Sequence, residues 1–537
     1  MKRTLALILA IVMTMALVAC GGKTNTDTPS TSKPDTSEPK LAGDVADVNK
    51  DAGKIEVKED VKYKKNLVVG VSGKTTTMDP YVVMNQHHDT LFKMTHNSLC
   101  FYNPDTGVME PELATEWSVS DDGLTWTFKL KEGIKFHNGE VLEADDVVAT
   151  FERAIATGVA GATTYAQITG LKAIDKQTVE MTLKAPNADW LFMMQYPNCS
   201  ILNREALEKD PAAGHEIGTG GWKVKSWDNG GDVVMTRFDD AWVWEKGLTP
   251  TEQITFATMT ETSARLVATQ TGEVDFNNGI TITDVPMVEK DPNLDTVTLA
   301  VETIFFLGFN NETGITTDLN MRKAISYAVD PQELLDALYE GYGELCQTFW
   351  GPGQFGKYTD YADPLETNVA KAKEYLAKTD YKGETLKFVT LTQWSNLAAL
   401  VQGQMQKAGI NIEIHTVDSQ GLNATCKAKD YSFFLYNKSC GPQGDQFRTV
   451  LTYGHNTNRA HFNSPRVMEL LDLAKSETDE TKRLAYYQEI QQITHDEMPY
   501  RPLYYGTAAY AWNKNVSGMI FGVDTKQDFT YMVCVEK

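Results

Sequence analysis

The clearest alternation of apolar and polar positions lies between residues 122 and 154. Apolar side chains at Trp126, Phe128 and Leu130 alternate with polar ones, which is the period of a strand with one buried face. Residues 134–136 form a second short run of strand character, and an Asn-Gly pair that favours a tight turn follows it. The pattern predicts two short strands joined by a turn.

A helix is predicted directly after these strands. Asp145 and Asp146 stand where the start of a helix favours negative charge. The apolar positions that follow recur at helical spacing and predict a buried face made of Val147, Phe151, Ala154 and Ile155. The segment is therefore a predicted β-β-α unit, and it contains no pair of residues typical of a catalytic centre.

The start of the chain has the pattern of an export signal. Lys2 and Arg3 precede an apolar run, Leu5–Ala19, that is too short for a stable transmembrane helix. We therefore expect residues 1–19 to be a signal peptide. Residues 20–65 are rich in Thr, Ser, Pro, Asp and Lys and almost lack aromatic side chains, so we expect a disordered tether there.

From Asn66–Val71, the first predicted strand, the chain alternates strands and helices to its end, which indicates an α/β protein of more than one domain.

The formal net charge of −22 disfavours nucleic acid as a partner. Residues 73–75 lack the earlier glycine of a phosphate-binding loop, and no serine-hydrolase, metalloprotease or EF-hand motif occurs. We expect no cofactor.

Cysteine and histidine give no metal-binding pattern. Seven cysteines are present without a CxxC pair, so scattered buried thiols are favoured and their pairing stays open. His87 and His88 with His96, or His455 with His461, are conceivable metal ligands. Hydrogen-bonded or solvated histidines are the favoured interpretation, so we expect no metal site.

Several segments resemble, in their order along the chain, the landmarks of the family 5 solute-binding proteins of bacterial ABC importers. That family includes oligopeptide, dipeptide and nickel receptors. The segments are Asp122–Ala154, Gly218–Val224, Leu266–Phe276, Phe305–Asn310 and Met321–Asp330. The resemblance extends from about Asn66 to the end of the chain.

The resemblance implies a periplasmic-binding-protein-like fold of type II: an α/β protein with two lobes, a hinge and an extra subdomain in the first lobe. Carried onto this chain, the parts are a first lobe at 66–304, a subdomain inserted in it at about 98–215, a second lobe at 305–499 and a return to the first lobe at 500–537. Crossing strands near Thr303–Leu307 and Tyr500–Tyr504 would let the lobes close on a ligand.

The end of the signal segment resembles the bacterial lipobox. Cys20 follows Ala19 and precedes Gly21, so the resemblance implies that Cys20 carries the lipid, with palmitate among its acyl chains. The lipid would hold the protein at the outer face of the cytoplasmic membrane. The alternative is an ordinary signal peptide followed by an incidental cysteine.

The ligand cleft is expected at loops that follow strands, where open α/β sheets bind their ligands. Three such loops are predicted: one after the first strand, one after residues 387–390 and one after the strand at residues 431–436. The candidate ligand-binding residues are Asn85, Gln86 and His87 in the first loop, Gln393 and Trp394 in the second, and Tyr436, Asn437, Ser439, Gly441 and Asp445 at or after the end of the last strand. For Trp394, stacking on a ligand and packing in a core are equally favoured interpretations.

Two of these loops depart from peptide-binding relatives. Those relatives often place an aspartate, which pairs with the α-ammonium of the peptide, near the position of Gly441 or Pro442; Asp445 matches an acidic residue just downstream. Dipeptide relatives offer an arginine for the ligand carboxylate near Gln393, and none is found there. Either longer peptides are held through their backbones, or the ligand is not a peptide.

The leading hypothesis is a lipid-anchored, monomeric receptor that captures an oligopeptide and delivers it to an ABC permease complex, without chemistry on the ligand. One alternative is a receptor of the same fold for a nickel complex, a metallophore or a glycan. Others are a secreted peptide hydrolase and a surface protein that binds peptides without a transporter.

Overall fold

The computed structural model describes residues 49, 57–58, 60–82, 85–103, 108–157, 162–211, 213–439, 441, 444–522 and 526–536. The predicted signal peptide, most of the predicted tether and Cys20 lie outside the described residues. No helix in the described part of the chain is long and apolar enough to cross a lipid bilayer.

Strands occur along the whole described chain. The first ten are β1 Asn66–Val71, β2 Cys100–Asn103, β3 Val108–Pro111, β4 Ala114–Val119, β5 Thr125–Leu130, β6 Ile168–Asp175, β7 Thr178–Leu183, β8 Trp222–Trp227, β9 Val233–Arg237 and β10 Gln253–Thr258. The next are β11 Phe276–Ile280, β12 Leu294–Phe309, β13 Leu386–Leu391, β14 Ile412–Val417, β15 Phe433–Ser439, β16 Tyr500–Asn513, β17 Val516–Ser517, β18 Ile520–Phe521, β19 Gln527–Asp528 and β20 Val533–Cys534.

Helices separate many of these strands. The earlier ones are α1 Gln86–Thr95, α2 Ala144–Thr157, α3 Ala162–Tyr165, α4 Trp190–Met194, α5 Arg204–Lys209, α6 Thr262–Thr271 and α7 Val285–Val288. The later ones are α8 Leu319–Ala328, α9 Pro331–Tyr339, α10 Val369–Leu376, α11 Ser395–Ala408, α12 Ser419–Lys427, α13 Arg448–Leu451, α14 Pro465–Ser476 and α15 Glu480–Glu497.

A mixed sheet of ten strands runs through the molecule in the order β14-β13-β15-β12-β16-β11-β1-β10-β9-β8. Its two longest strands, β12 and β16, pair antiparallel in the middle of the sheet. Their register breaks between Ala300 and Ile304, whose partners are Thr507 and Tyr505. Beyond the break β12 also pairs with β15, whereas before it β16 also pairs with β11. The two halves of the sheet are therefore joined by two adjacent strands that bend at the same place.

The buried apolar side chains of the described residues form three larger cores. The N-terminal core draws its members from residues 67–299 and 510–534. The central core draws them from residues 300–505, with Phe192 added. The inserted core comprises side chains between Tyr81 and Leu202 and surrounds a separate sheet of order β4-β5-β7-β6. The first part of β16, up to Tyr505, packs in the central core.

The first strand and the helix of the predicted β-β-α unit are confirmed as β5 and α2. Trp126, Phe128 and the α2 residues Val147, Phe151 and Ala154 are all buried in the inserted core.

Two details of that prediction were wrong. Residues 134–136 contribute only one isolated bridge, Lys135 with Val141, rather than a strand. Ile155 is 45% exposed, because the buried face of α2 turns through Val147, Thr150, Phe151 and Ala154 and leaves the next position at its edge.

Candidate functional site

A cavity of about 360 Å³ lies where α1, the start of β2, the bend of β12 and the end of β15 meet; we call it the cleft cavity. This volume is within the usual range for small-ligand sites. Its charged lining residues are Asp89, Lys93, Glu112, Glu302 and Lys526. The site therefore combines both signs of charge on side chains drawn from distant parts of the sequence.

Helix α1 supplies one wall. Asn85 caps it, since its side chain accepts a hydrogen bond from the backbone N–H of His88. Asp89, Lys93 and His96 follow at spacings of four and three, so they share one face of the helix and line the cavity. Burial lowers the pKa of His96 to about 3. His96 is therefore neutral, and its Nε2 donates to the backbone oxygen of His215 at 3.0 Å.

The carboxylate of Asp89 has an internal counter-ion. Lys526 Nζ lies 3.4 Å from Asp89 Oδ2, and both side chains are largely buried. The same ammonium lies over the ring of Tyr196, 5.4 Å from its centroid. Since Lys526 belongs to the C-terminal tail, the end of the chain completes this wall.

Glu112 is half-buried in the next wall, directly after β3. Its Oε1 accepts a hydrogen bond from Asn97 Nδ2 at 2.9 Å, and its Oε2 accepts one from the Ser98 backbone N–H at 2.8 Å. Burial raises the pKa of Glu112 to about 7, although these two donors and Lys93 favour its ionised form.

The facing wall is formed by Glu302 in β12 and by Ser439 and Gly441 at the end of β15. Thr303 Oγ1 lies 3.1 Å from Ser439 Oγ, which ties β12 to β15 at the rim. Tyr102 of β2 also lines the cavity. Its hydroxyl donates a hydrogen bond to the backbone oxygen of Gly353 at 2.7 Å. Burial and the nearby carboxylate of Glu302 raise the pKa of Tyr102 to about 12.

A second contact, away from the cavity, joins the inserted core to the central core. Asp189, beside the start of α4, forms an ion pair with Arg483 of α15, and the two side chains are only 6% and 7% exposed. The Ala188 N–H donates to the Lys475 oxygen at 2.8 Å. The Arg483 guanidinium also lies over the ring of Phe355. We call this group the interlobe contact.

The structure places the predicted β15 residues at the cavity. Ser439 and Gly441 line it, and Tyr436, Asn437 and Ser439 line an adjacent cavity of about 320 Å³. The prediction that 437–439 form a loop was wrong. These residues extend β15 and pair with Thr303–Phe305, because β12 is long enough to continue the ladder past the core.

Gln393 and Trp394 do not line the cleft cavity. Gln393 is exposed and lines a separate hollow with Asp418 and Ser419. Trp394 is 5% exposed and packs against Phe305, with ring centroids 5.2 Å apart. The core interpretation of Trp394 fits this position.

The residues predicted after the first strand lie at the start of α1, not in a loop. Asn85 is the cap, and Gln86 and His87 are the first helical residues. His87 Nε2 lies 2.9 Å from Thr75 Oγ1, and burial, followed by the charge of His88, lowers the pKa of His87 to about 4. The side chains on the cavity come from the next turns of the same helix.

Asp445 lies in a short 3-10 turn, Gly444–Phe447, and its side chain is outside what the structure describes.

Sequence reasoning missed the charged side chains that line the cavity. A signal was present for Asp89 and Lys93, because polar residues at positions 89, 93 and 96 interrupt an otherwise buried helix at helical spacing. Glu112, Glu302 and Lys526 carry no local signal, since only the folding of distant segments brings them together.

No group of three or more His, Cys, Asp or Glu able to hold a metal ion occurs among the described residues. Among the described residues, Cys100, Cys199, Cys346 and Cys426 are buried free thiols, and Cys534 is also buried.

Comparison with known proteins identifies close parallels. The family model described as "Bacterial extracellular solute-binding proteins, family 5 Middle" matches residues 108–459. The chain is 25% identical over 488 residues to the "Probable D,D-dipeptide-binding periplasmic protein DdpA" of Escherichia coli strain K12, covering 87% of this chain and 93% of that protein. It is 26% identical over 493 residues to the "Glutathione-binding protein GsiB" of Escherichia coli O6:K15:H31, with coverage of 87% and 94%.

The fold is shared with solved structures. The ABC transporter substrate-binding protein CtaP of Listeria monocytogenes superposes with a TM-score of 0.78 at 23% identity, covering 88% of this chain and all of that one. This likeness confirms the predicted type II, two-lobed α/β fold.

Proposed function

Because the chain belongs to the bacterial extracellular solute-binding proteins of family 5, we propose that it captures a short peptide between its lobes and delivers it to an ABC permease complex. The cleft cavity carries this proposal. It presents the carboxylates of Asp89, Glu112 and Glu302 and the ammonium groups of Lys93 and Lys526, and a short peptide carries the complementary ammonium, carboxylate and amide groups.

A further donor in the cavity suits a peptide backbone. Gln195 lines the cavity, and its Oε1 accepts from the Tyr102 backbone N–H at 3.2 Å. Its buried Nε2 has no acceptor among the described residues. A ligand carbonyl would satisfy this donor, and an unsatisfied buried amide is costly. The relatives named for a D,D-dipeptide and for glutathione also favour a peptide ligand.

The lobes would close about the bend of the two central strands. The proposed parts are a first lobe at 66–304 with its subdomain at about 98–215, a second lobe at 305–499, and a return at 500–537. The shared register break at Ala300 and Ile304 supports a hinge at that point. Small-angle scattering should show a smaller radius of gyration when ligand saturates the protein, and an unchanged profile would contradict a hinge.

We also propose that Cys20 carries a lipid that holds a monomeric protein at the outer face of the cytoplasmic membrane. Detergent-phase partitioning of the wild type, lost in Cys20→Ser, tests this anchor. Equal partitioning of the wild type and Cys20→Ser would contradict the proposed lipid anchor.

Mass spectrometry of ligands released by denaturing the purified protein tests the peptide proposal. The expected result is a set of short peptides, and the same peptides added back should be recovered intact. Recovery of a glycan or a metal complex would overturn the peptide ligand, and recovery of cleaved products would favour a hydrolase.

A further inference from the structure

The carboxylate of Glu112 is held in a fixed orientation without a counter-ion. Its two oxygens accept hydrogen bonds from Asn97 and Ser98, which are uncharged donors. The charge of Lys93 also favours the ionised form of Glu112, but no described residue forms an ion pair with it at contact distance, whereas Asp89 on the neighbouring wall has Lys526 at 3.4 Å. A carboxylate withdrawn from water is stabilised by a cation at contact distance. Of these two carboxylates, Asp89 therefore has a cation at contact distance and Glu112 does not.

We propose that Glu112 receives the α-ammonium group of the bound peptide. This inference rests on the proposed function, since it assigns one end of a peptide ligand within the same cavity. It places the peptide N-terminus against the wall formed by Asn97, Ser98 and Glu112. The unsatisfied Nε2 of Gln195 then faces the same ligand as a donor for a backbone carbonyl.

Binding of an ammonium at this position is coupled to proton release. Burial holds the pKa of Glu112 at about 7 in the empty cavity. A cation beside the carboxylate favours its ionised form, so binding near pH 7 expels a proton. The affinity therefore increases as the pH rises toward 7, because the unliganded carboxylate no longer has to lose a proton first.

Two titratable side chains beside Glu112, His96 and Tyr102, do not produce the same pH dependence. The charged or titratable groups that surround Glu112 in the cavity are Asp89, Lys93 and His96 on or beside α1, Tyr102 in β2, Glu302 in β12 and Lys526 in the tail. The charge of Asp528 in β19 also favours the neutral form of Glu112. His96, with a pKa of about 3, and Tyr102, with a pKa of about 12, do not change charge near neutrality.

Isothermal titration calorimetry with di-, tri- and tetra-alanine, each free and N-acetylated, tests the assignment. Measurements run from about pH 5.5 to about pH 7, because the α-amino group of the peptide itself loses its proton near 8. The free peptides are expected to bind at least about tenfold more tightly than the acetylated ones at pH 7. Their affinity should fall about tenfold toward pH 5.5.

Variants separate the role of Glu112 from other effects. Glu112→Gln keeps the size of the side chain and should remove both the preference for the free amine and the pH dependence. Glu116→Gln is the matched control, because Glu116 is an exposed acid on β4 that pairs with Lys129 at 3.6 Å. It should retain both properties.

The release of a proton on peptide binding can be measured with the wild-type protein alone. Titrations in two buffers of different ionisation enthalpy should show release of a fraction of a proton near pH 7. Peptides that bind without this release, or equally well when acetylated, or with an unchanged preference in Glu112→Gln, would overturn the assignment while leaving the peptide receptor in place. Failure of every peptide to bind would remove both proposals.

Discussion

The interlobe contact gives the sharpest quantitative prediction. Asp189 and Arg483 form a buried ion pair between the inserted core and the central core. Asp189→Ala removes the carboxylate and leaves the guanidinium buried beside Phe355, over whose ring it lies at 4.7 Å from the centroid. Removing one partner of a buried pair costs about 3–5 kcal/mol, because the remaining charge is uncompensated.

That cost applies only while the two cores are in contact. In the proposed hinge motion, separation of the lobes would bring Arg483 into water, and most of the penalty would disappear. The substitution therefore destabilises the closed arrangement relative to the open one. Since about 1.4 kcal/mol is tenfold in affinity, the loss for a ligand that needs closure is at least about 100-fold.

The assay is calorimetric binding of the tightest alanine peptide to the wild type, Asp189→Ala, Arg483→Met and the double variant. The double variant should recover most of the affinity, because neither charge then remains buried alone. Scattering from ligand-free Asp189→Ala should show a larger radius of gyration. Asp472→Ala is the matched control, since Asp472 is 72% exposed in its pair with Arg448 and should cost at most about 1 kcal/mol.

The reasoning is refuted if Asp189→Ala binds within about twofold of the wild type and its scattering profile is unchanged. A double variant that binds as weakly as the single one would show that packing, rather than charge, holds the two cores together.

Other substitutions test the site and the cores. The raised pKa of Glu112, about 7 against an ordinary value of 4.5, stabilises the folded chain at low pH, and this contribution is lost as the pH rises through 7. Glu112→Gln should therefore raise the thermal midpoint at about pH 8 and leave it nearly unchanged at about pH 5; a pH-independent difference would contradict this. In Gly308→Ala the new Cβ would lie 2.2 Å from the Phe434 ring, so denaturant unfolding should show a loss of about 1–3 kcal/mol. Gly403→Ala, with nothing within 4 Å, should instead gain about 0.5–1 kcal/mol. Trp394→Ala should lower the free energy of unfolding by about 3–5 kcal/mol in the same denaturant assay. A variant that is stable but binds peptide more weakly would show that Trp394 contacts the ligand instead.

Local periodicity was sufficient to predict many elements of the fold. The first strand, Asn66–Val71, has the predicted bounds. Three of the four positions predicted for the buried face of α2, Val147, Phe151 and Ala154, are also buried. These features depend on the spacing of side chains within one turn or one pleat, which the sequence displays directly.

The charged site could not be predicted in the same way. Asp89 meets Lys526 only because the C-terminal tail packs beside α1. Glu112 acquires its buried position from Asn97 and Ser98, which come from the other side of a hairpin. Asn437–Ser439 were predicted as a loop, and their strand conformation depends on the length of a partner strand far away in sequence.

The position of β16 has a consequence for how the protein is made. This strand lies between β12 and β11, yet it starts only at Tyr500. Phe529 and Met532, later still, pack in the same core as Leu67 of the first strand. Because a chain is synthesised from its N-terminus, the first core therefore stays open until the last segment arrives. Folding of the ligand-binding form must follow release of the whole chain, and a truncation before residue 500 would leave two half-sheets without the strand that joins them.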